Sequence, residues 1–126
     1  MNLKHFTSKE LQCKKTHVVF LLDGFGARLD DLREEWGKPL TVNSCCRSNE
    51  YNLEIGGAPN SYHIFNHPTR KPSGTCAIDL AFANSKDKGD FWALAWRRGW
   101  SVGFNKTFLH IDRRVDLGEP QTCFTY

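Results

Sequence analysis

The sequence predicts an α+β domain, a small antiparallel sheet with helices packed on it. Short helix-like and strand-like segments are interspersed without the βαβ rhythm that builds a parallel sheet. Helical spacing of apolar residues is sustained only over residues 18–36, and the clearest strand pattern, TFLHIDRRV, comes late, over residues 107–115. The chain has 126 residues, 40% of them hydrophobic, which fits one domain over 1–126 with a sizeable core.

FTSKELQ, residues 6–12, reads as a short capped helix, with Thr7 or Ser8 as the cap and Glu10 placed to complete a capping box with Thr7. From Val18 to Trp36 the residues Leu21, Leu22, Phe25, Leu29, Leu32 and Trp36 recur mostly at helical spacing. Gly24 and Gly26 weaken the first half, so the helix is expected in earnest only near Ala27, and Gly37-Lys38-Pro39 ends it. Leu40 to Ser44 reads as a strand around the β-branched Thr41 and Val42. Residues 49–60, with Gly56-Gly57-Ala58-Pro59-Asn60, read as a loop, and so does the Pro- and base-containing run from Asn66 to Ser73. Cys76 to Phe82 is apolar enough for a strand or the start of a buried helix. Lys86 to Asp90 looks turn-like, and Phe91 to Arg98 reads as a short amphipathic helix. In the final strand His110 and Asp112 share a face with Phe108 and Arg114, because side chains two apart point the same way.

Composition narrows the function. A net charge of +3 with scattered basic residues is a mild bias toward anionic partners, short of a nucleic-acid-binding footprint. No apolar run approaches the ~18 residues of a membrane span. The opening MNLKHFTSKELQCKK lacks the apolar centre of a signal peptide, which predicts a chain that is cytoplasmic as synthesised. Five cysteines, an odd number without CxxC spacing, read as free thiols and mostly as small buried hydrophobes.

The chemistry gathers around NSYHIFNHPTRKPSGTCAIDL, residues 60–80. Asp79 stands inside an apolar run, and a buried carboxylate costs several kcal/mol unless paired or bound to a metal. His63, His67, Asp79, His110 and Asp112 are the residues able to ligate a metal from apolar settings. Two histidines and one carboxylate suit a catalytic zinc ion, which keeps a further position for water and lowers that water's pKa toward ~7. Residue types and spacing alone leave the alternative open: core histidines with satisfied hydrogen bonds, and an aspartate held by backbone or arginine donors.

VNSCCRS, GGAPNSYH, CAIDL and FLHIDRR occur in the order of the motifs of the zinc-dependent peptidoglycan peptidases of the D-Ala-D-Ala carboxypeptidase type. That family includes phage endolysins and shares its fold with the Hedgehog signalling domain. The resemblance spans about residues 3–114, and LKHFTSKELQC is similar to the start of small phage-type members. It implies one Zn2+ held by His63, Asp79 and His110. It implies that Arg47 binds a substrate carboxylate or carbonyl, that Ser61 lines the cleft, and that Asp112 matches the acidic residue of the last strand. Asp112 is accordingly a candidate general base, or else the carboxylate that orients a ligand histidine.

Departures from the family pattern are local. Asp79 follows His63 by sixteen residues, a wider gap than the family's, consistent with a loop insertion and leaving His67 as a rival to His63. Cys45-Cys46 replaces the turn glycine before Arg47, and Thr107 stands where several branches carry an acid. The resemblance implies hydrolysis of peptide bonds in peptidoglycan stem peptides, by a carboxypeptidase or endopeptidase, including a phage lysis enzyme that reaches the wall after release or virion delivery. The alternatives are a catalytically inactive zinc-bearing binding module of the same fold and, more remotely, a DNA-associated phage protein.

Overall fold

A computed structural model describes residues 2–126, and it has four α-helices and one five-stranded sheet. The helices are α1 (Ser8–Leu11), α2 (Phe25–Trp36), α3 (Asn49–Glu54) and α4 (Ser85–Arg97). The strands are β1 (Thr41–Ser44), β2 (Ala77–Ala81), β3 (Ser101–Phe104), β4 (Phe108–Asp112) and β5 (Cys123–Thr125), in the order β1-β2-β4-β3-β5. The first four pair antiparallel, and β5 adds a parallel edge beside β3. The expected α+β architecture is present, with two strands the sequence did not announce, β3 and β5.

Alternation in the strands divides the sheet into two faces. Ile78 and Leu80 of β2, Val102 of β3 and Leu109 and Ile111 of β4 are all fully buried and join Leu29, Phe91, Ala95 and Trp100 in the core. Burying each such side chain contributes roughly 1.5–3 kcal/mol. The opposite face carries Asp79, His110 and Asp112, and that is the face with the chemistry.

Helix ends follow local side-chain chemistry. Thr7 and Glu10 close the expected capping box at α1. At α2 the start is Phe25: Gly24 is left-handed at φ 85°, and the backbone before it is extended, with Leu22 N–H donating to Thr75 O at 2.9 Å and Thr75 N–H to Phe20 O at 2.8 Å. Residues 18–24 therefore do not continue the helical spacing, because their backbone groups are taken by the segment that leads into β2.

Three further segments differ from expectation. The stretch 49–60 opens with α3, capped by Ser48, whose Oγ accepts from Tyr51 N–H at 3.1 Å; only its second half is loop. Lys86 to Asp90 is the first part of α4, because Asn84 Oδ1 caps the helix by accepting from Asp87 N–H at 2.8 Å. Lys86 and Asp90 then pair one turn apart at 2.7 Å. The last long strand stops at Asp112, short of Val115, because Asp112 Oδ1 accepts from Arg114 N–H at 3.0 Å and a 3₁₀ turn follows over Arg114–Leu117.

Among the described residues no disulfide forms; Cys13, Cys45, Cys46 and Cys76 are buried and Cys123 is exposed. No described helix is long and apolar enough to cross a membrane.

Candidate metal centre

Sheet register sets the site. Asp79 of β2 lies directly opposite His110 of β4, and Ser44 of β1 lies opposite Asp79. His63 comes from outside the sheet, on a turn fixed to Arg47: Arg47 N–H donates to His63 O at 3.0 Å, and Phe65 N–H donates to Arg47 O at 2.9 Å. Thr75 Oγ1–H also donates to His63 O, at 2.6 Å, so the turn is held from both sides.

The three side chains converge. Asp79 Oδ1 is 3.0 Å from His63 Nε2 and 3.0 Å from His110 Nδ1, and all three residues are buried. Each ring is oriented from behind. His63 Nδ1–H donates to Cys45 O at 2.7 Å, and His110 Nε2 meets Asp112 Oδ2 at 2.7 Å. With both outer nitrogens used as donors, neutral rings turn their lone pairs inward, toward a carboxylate oxygen that also only accepts. Three acceptors facing one point repel one another unless a cation or a proton sits between them. Two imidazole nitrogens and one carboxylate oxygen, all mutually within 4.8 Å, are a fitting donor set for zinc.

Electrostatics act differently on the three groups. Burial alone would push the Asp79 carboxyl up, but its pairings with His110 and His63 hold it well below the usual carboxylate range. Burial lowers the His63 pKa and keeps that ring neutral, as a ligand must be. At His110 burial acts the same way, but hydrogen bonds to Asp112 and Asp79 outweigh it and raise the pKa.

Asp112 has no exposed side-chain surface, and donors occupy both its oxygens. Oδ1 accepts from Arg114 N–H and Nε–H, each at 3.0 Å; Oδ2 accepts from His110 and, at 2.8 Å, from Arg114 NH2. It sits behind His110, on the ring edge opposite Asp79. Hydrogen bonds from His110 and Arg114 keep it ionised against the opposing effect of burial.

Arg47 reaches the other oxygen of Asp79, with NH2 3.3 Å from Oδ2. Its guanidinium also donates to Ser44 Oγ at 3.1 Å and to Asn52 Oδ1 at 3.2 Å. Asn52 is a residue the sequence reading missed. It is fully buried on α3 and clamps the GGAP loop through Nδ2–H to Ala58 O at 2.9 Å. Gly57 is required beside it, since a Cβ there would overlap the Asn52 side chain. The legible signal was Ser48 as a helix cap, which would have put Asn52 one turn on, facing Arg47.

Ser61 Oγ accepts from His63 N–H at 3.2 Å and lines the same cleft. His67 lies apart from the trio, with Nε2 3.1 Å from Asn60 Oδ1. Arg113, the neighbour of Asp112, is buried: it pairs with Asp116 at 3.0 Å and lies over the Trp100 ring. Above the trio opens a cleft of about 640 Å³, whose lining includes Arg47, Gly57, Ser61, Arg114 and Tyr126.

The sequence model of the family described as Peptidase M15 matches residues 4–112 of the chain. No curated protein matches it.

Proposed function

The chain belongs to the Peptidase M15 family of zinc D-Ala-D-Ala carboxypeptidase-like peptidases, and from that premise we propose that it hydrolyses peptide bonds in the stem peptides of bacterial peptidoglycan, as a carboxypeptidase or an endopeptidase. The observation that carries this reading is the convergence of His63, Asp79 and His110 on one buried point at the floor of an open cleft. In this reading those three residues hold one Zn2+. Zinc, when bound, supplies Lewis-acid polarisation of a carbonyl and acidification of a water.

The chain's own groups do the rest. Cys45 O and Asp112 fix which nitrogen of each histidine faces inward. Asp112 takes the orienting role, the second of its two expected ones, because its lone pairs are already filled by His110 and Arg114 and it stands behind the ring. Arg47, braced by Ser44 and Asn52, presents its guanidinium at the cleft floor, where it steadies the substrate carbonyl or a carboxylate. Ser61 fixes the turn that carries His63 and offers a hydroxyl to the bound peptide. A phage lysis role is one setting for this chemistry.

A second reading, a zinc-bearing binding module without turnover, is supported by one observation. Among the described residues Asp79 is the only acidic side chain lining the cleft, so no free side-chain acid stands ready to carry a proton. One experiment separates the two. Purified peptidoglycan is incubated with the zinc-loaded protein, with and without chelator, and the products are read by mass spectrometry. Chelator-sensitive release of peptide fragments or alanine is the expected result. Stoichiometric zinc with intact peptidoglycan overturns the peptidase reading in favour of the binding module.

A further inference from the structure

The family match stops at Asp112, yet the cleft does not. Its far wall is built by β5 and the residue after it. Parallel pairing puts Phe124 opposite Gly103, and Gly103 lies opposite His110. Asp79, His110, Gly103 and Phe124 thus form one row across the sheet, on the face that opens into the cleft. Gly103 leaves a gap in that row. A Cβ there would lie 2.5 Å from the Phe124 ring, so the ring rests over the glycine and reaches His110, with centroids 5.7 Å apart. Tyr126 extends the surface, 5.7 Å from Phe124 and 5.6 Å from Phe108. Arg114 covers the outer flank at 5.4 Å from the Phe124 ring, its charge already matched by Asp112.

The rings are only partly covered by the protein itself: Phe108 and Phe124 are half-buried and Tyr126 is exposed. The same cleft is lined by Ile55, Gly56, Gly57 and Ala58, which offer no charged side chain. An aromatic surface that begins at a metal-ligand candidate and shares its cleft with such a stretch is suited to apolar side chains and offers little to a polar amide.

We propose that Phe124, flanked by Phe108 and Tyr126, forms a specificity wall that takes the uncharged, apolar side chain of a peptide residue next to the cleaved bond. The proposal rests on the peptidase reading for the identity of its ligand, but binding tests it without turnover. The probes are two isosteric pairs of N-acetylated dipeptides, D-Ala-D-Leu with D-Ala-D-Asn and D-Leu-D-Ala with D-Asn-D-Ala. Dissociation constants come from NMR titrations that follow the Phe124 and Tyr126 ring resonances, with and without chelator.

In at least one pair the leucine peptide is expected to bind roughly tenfold tighter than its asparagine counterpart. Phe124→Ala should bring that ratio close to one, and Phe124→Leu should largely restore it. Gly103→Ala, which displaces the ring without touching it chemically, should act like Phe124→Ala while zinc content stays at the wild-type level. Equal binding within both pairs, no binding of any probe, or a ratio that survives Phe124→Ala overturns the wall. Failure to cleave peptidoglycan with the leucine preference intact would instead remove the peptidase reading and leave the wall standing.

Discussion

Asp112 Oδ2 lies 2.7 Å from His110 Nε2, on the side of the ring turned away from Asp79. A carboxylate in that place tunes a ligand from behind. Asp112→Asn should weaken zinc binding by roughly 10–100-fold, the usual effect of removing such a partner. With zinc in excess, kcat should largely return. Zinc titration by a competing chelator, followed by kinetics at saturating metal, checks both parts. A kcat that stays lost at full occupancy would give Asp112 the proton-carrying role instead.

Removing the shared carboxylate has a harsher outcome. Asp79→Ala should abolish zinc binding and peptidoglycan hydrolysis together, and it leaves the half-buried Arg47 guanidinium without its carboxylate partner, so stability should fall as well. Asp79→Asn keeps the volume and separates the two effects. It should fold better than the alanine variant and still lack zinc, as measured by metal analysis of the purified protein beside thermal melts.

Asn52 tests the bracing of Arg47. Asn52→Ala removes the acceptor of Arg47 NH1 and one of the two donors to Ala58 O, partly buried hydrogen bonds that contribute about 1 kcal/mol each. Stability should fall and KM for a peptide substrate should rise, with zinc content unchanged. Gly57→Ala should reproduce the KM effect, since its Cβ displaces the Asn52 side chain. Equilibrium urea unfolding and steady-state kinetics read the two quantities separately.

Acid should unfold the metal-free protein earlier than its composition suggests. Asp79 and Asp112 both have folded-state pKa values held below their unfolded ones. Their contribution is therefore fully present above the unfolded value of about 3.9, and it is lost as pH falls from there toward the lower folded values. Denaturation curves taken between pH 6 and pH 2 (a range of roughly four units) should steepen at the acid end. Asp112→Asn should be less stable throughout and flatter there. An unchanged acid slope in that variant would show that the Asp112 pairings contribute no pH-dependent stability.

Much of the site was readable because its residues sit on regular elements. Two-residue alternation put His110 and Asp112 on one face, and an acid within Ala77-Ile78-Asp79-Leu80 demanded a partner; cross-strand register then brings Asp79 and His110 together. What the sequence concealed depended on contacts made at a distance. Residues 20–22 abandon their helical spacing because Thr75, far along the chain, takes their backbone groups. The early turns of α4 look like a loop by composition, and only the Asn84 cap and the Lys86–Asp90 pair make them helical. Cys123 to Thr125 is too short to stand out, and its strand exists because β3 has a free edge beside it.

Gly74 N–H donates to Phe65 O at 2.9 Å, which pinches shut the neck of the long connection between His63 and Asp79. Everything from Asn66 to Ser73 hangs outside that neck, tethered to the Asn60–Ser61 carbonyls by Arg70. Chain length in this appendage is thereby insulated from the spacing of the ligands. It is a natural landing place for grafted sequence, such as a wall-targeting peptide or a reporter tag, added without disturbing the row beneath.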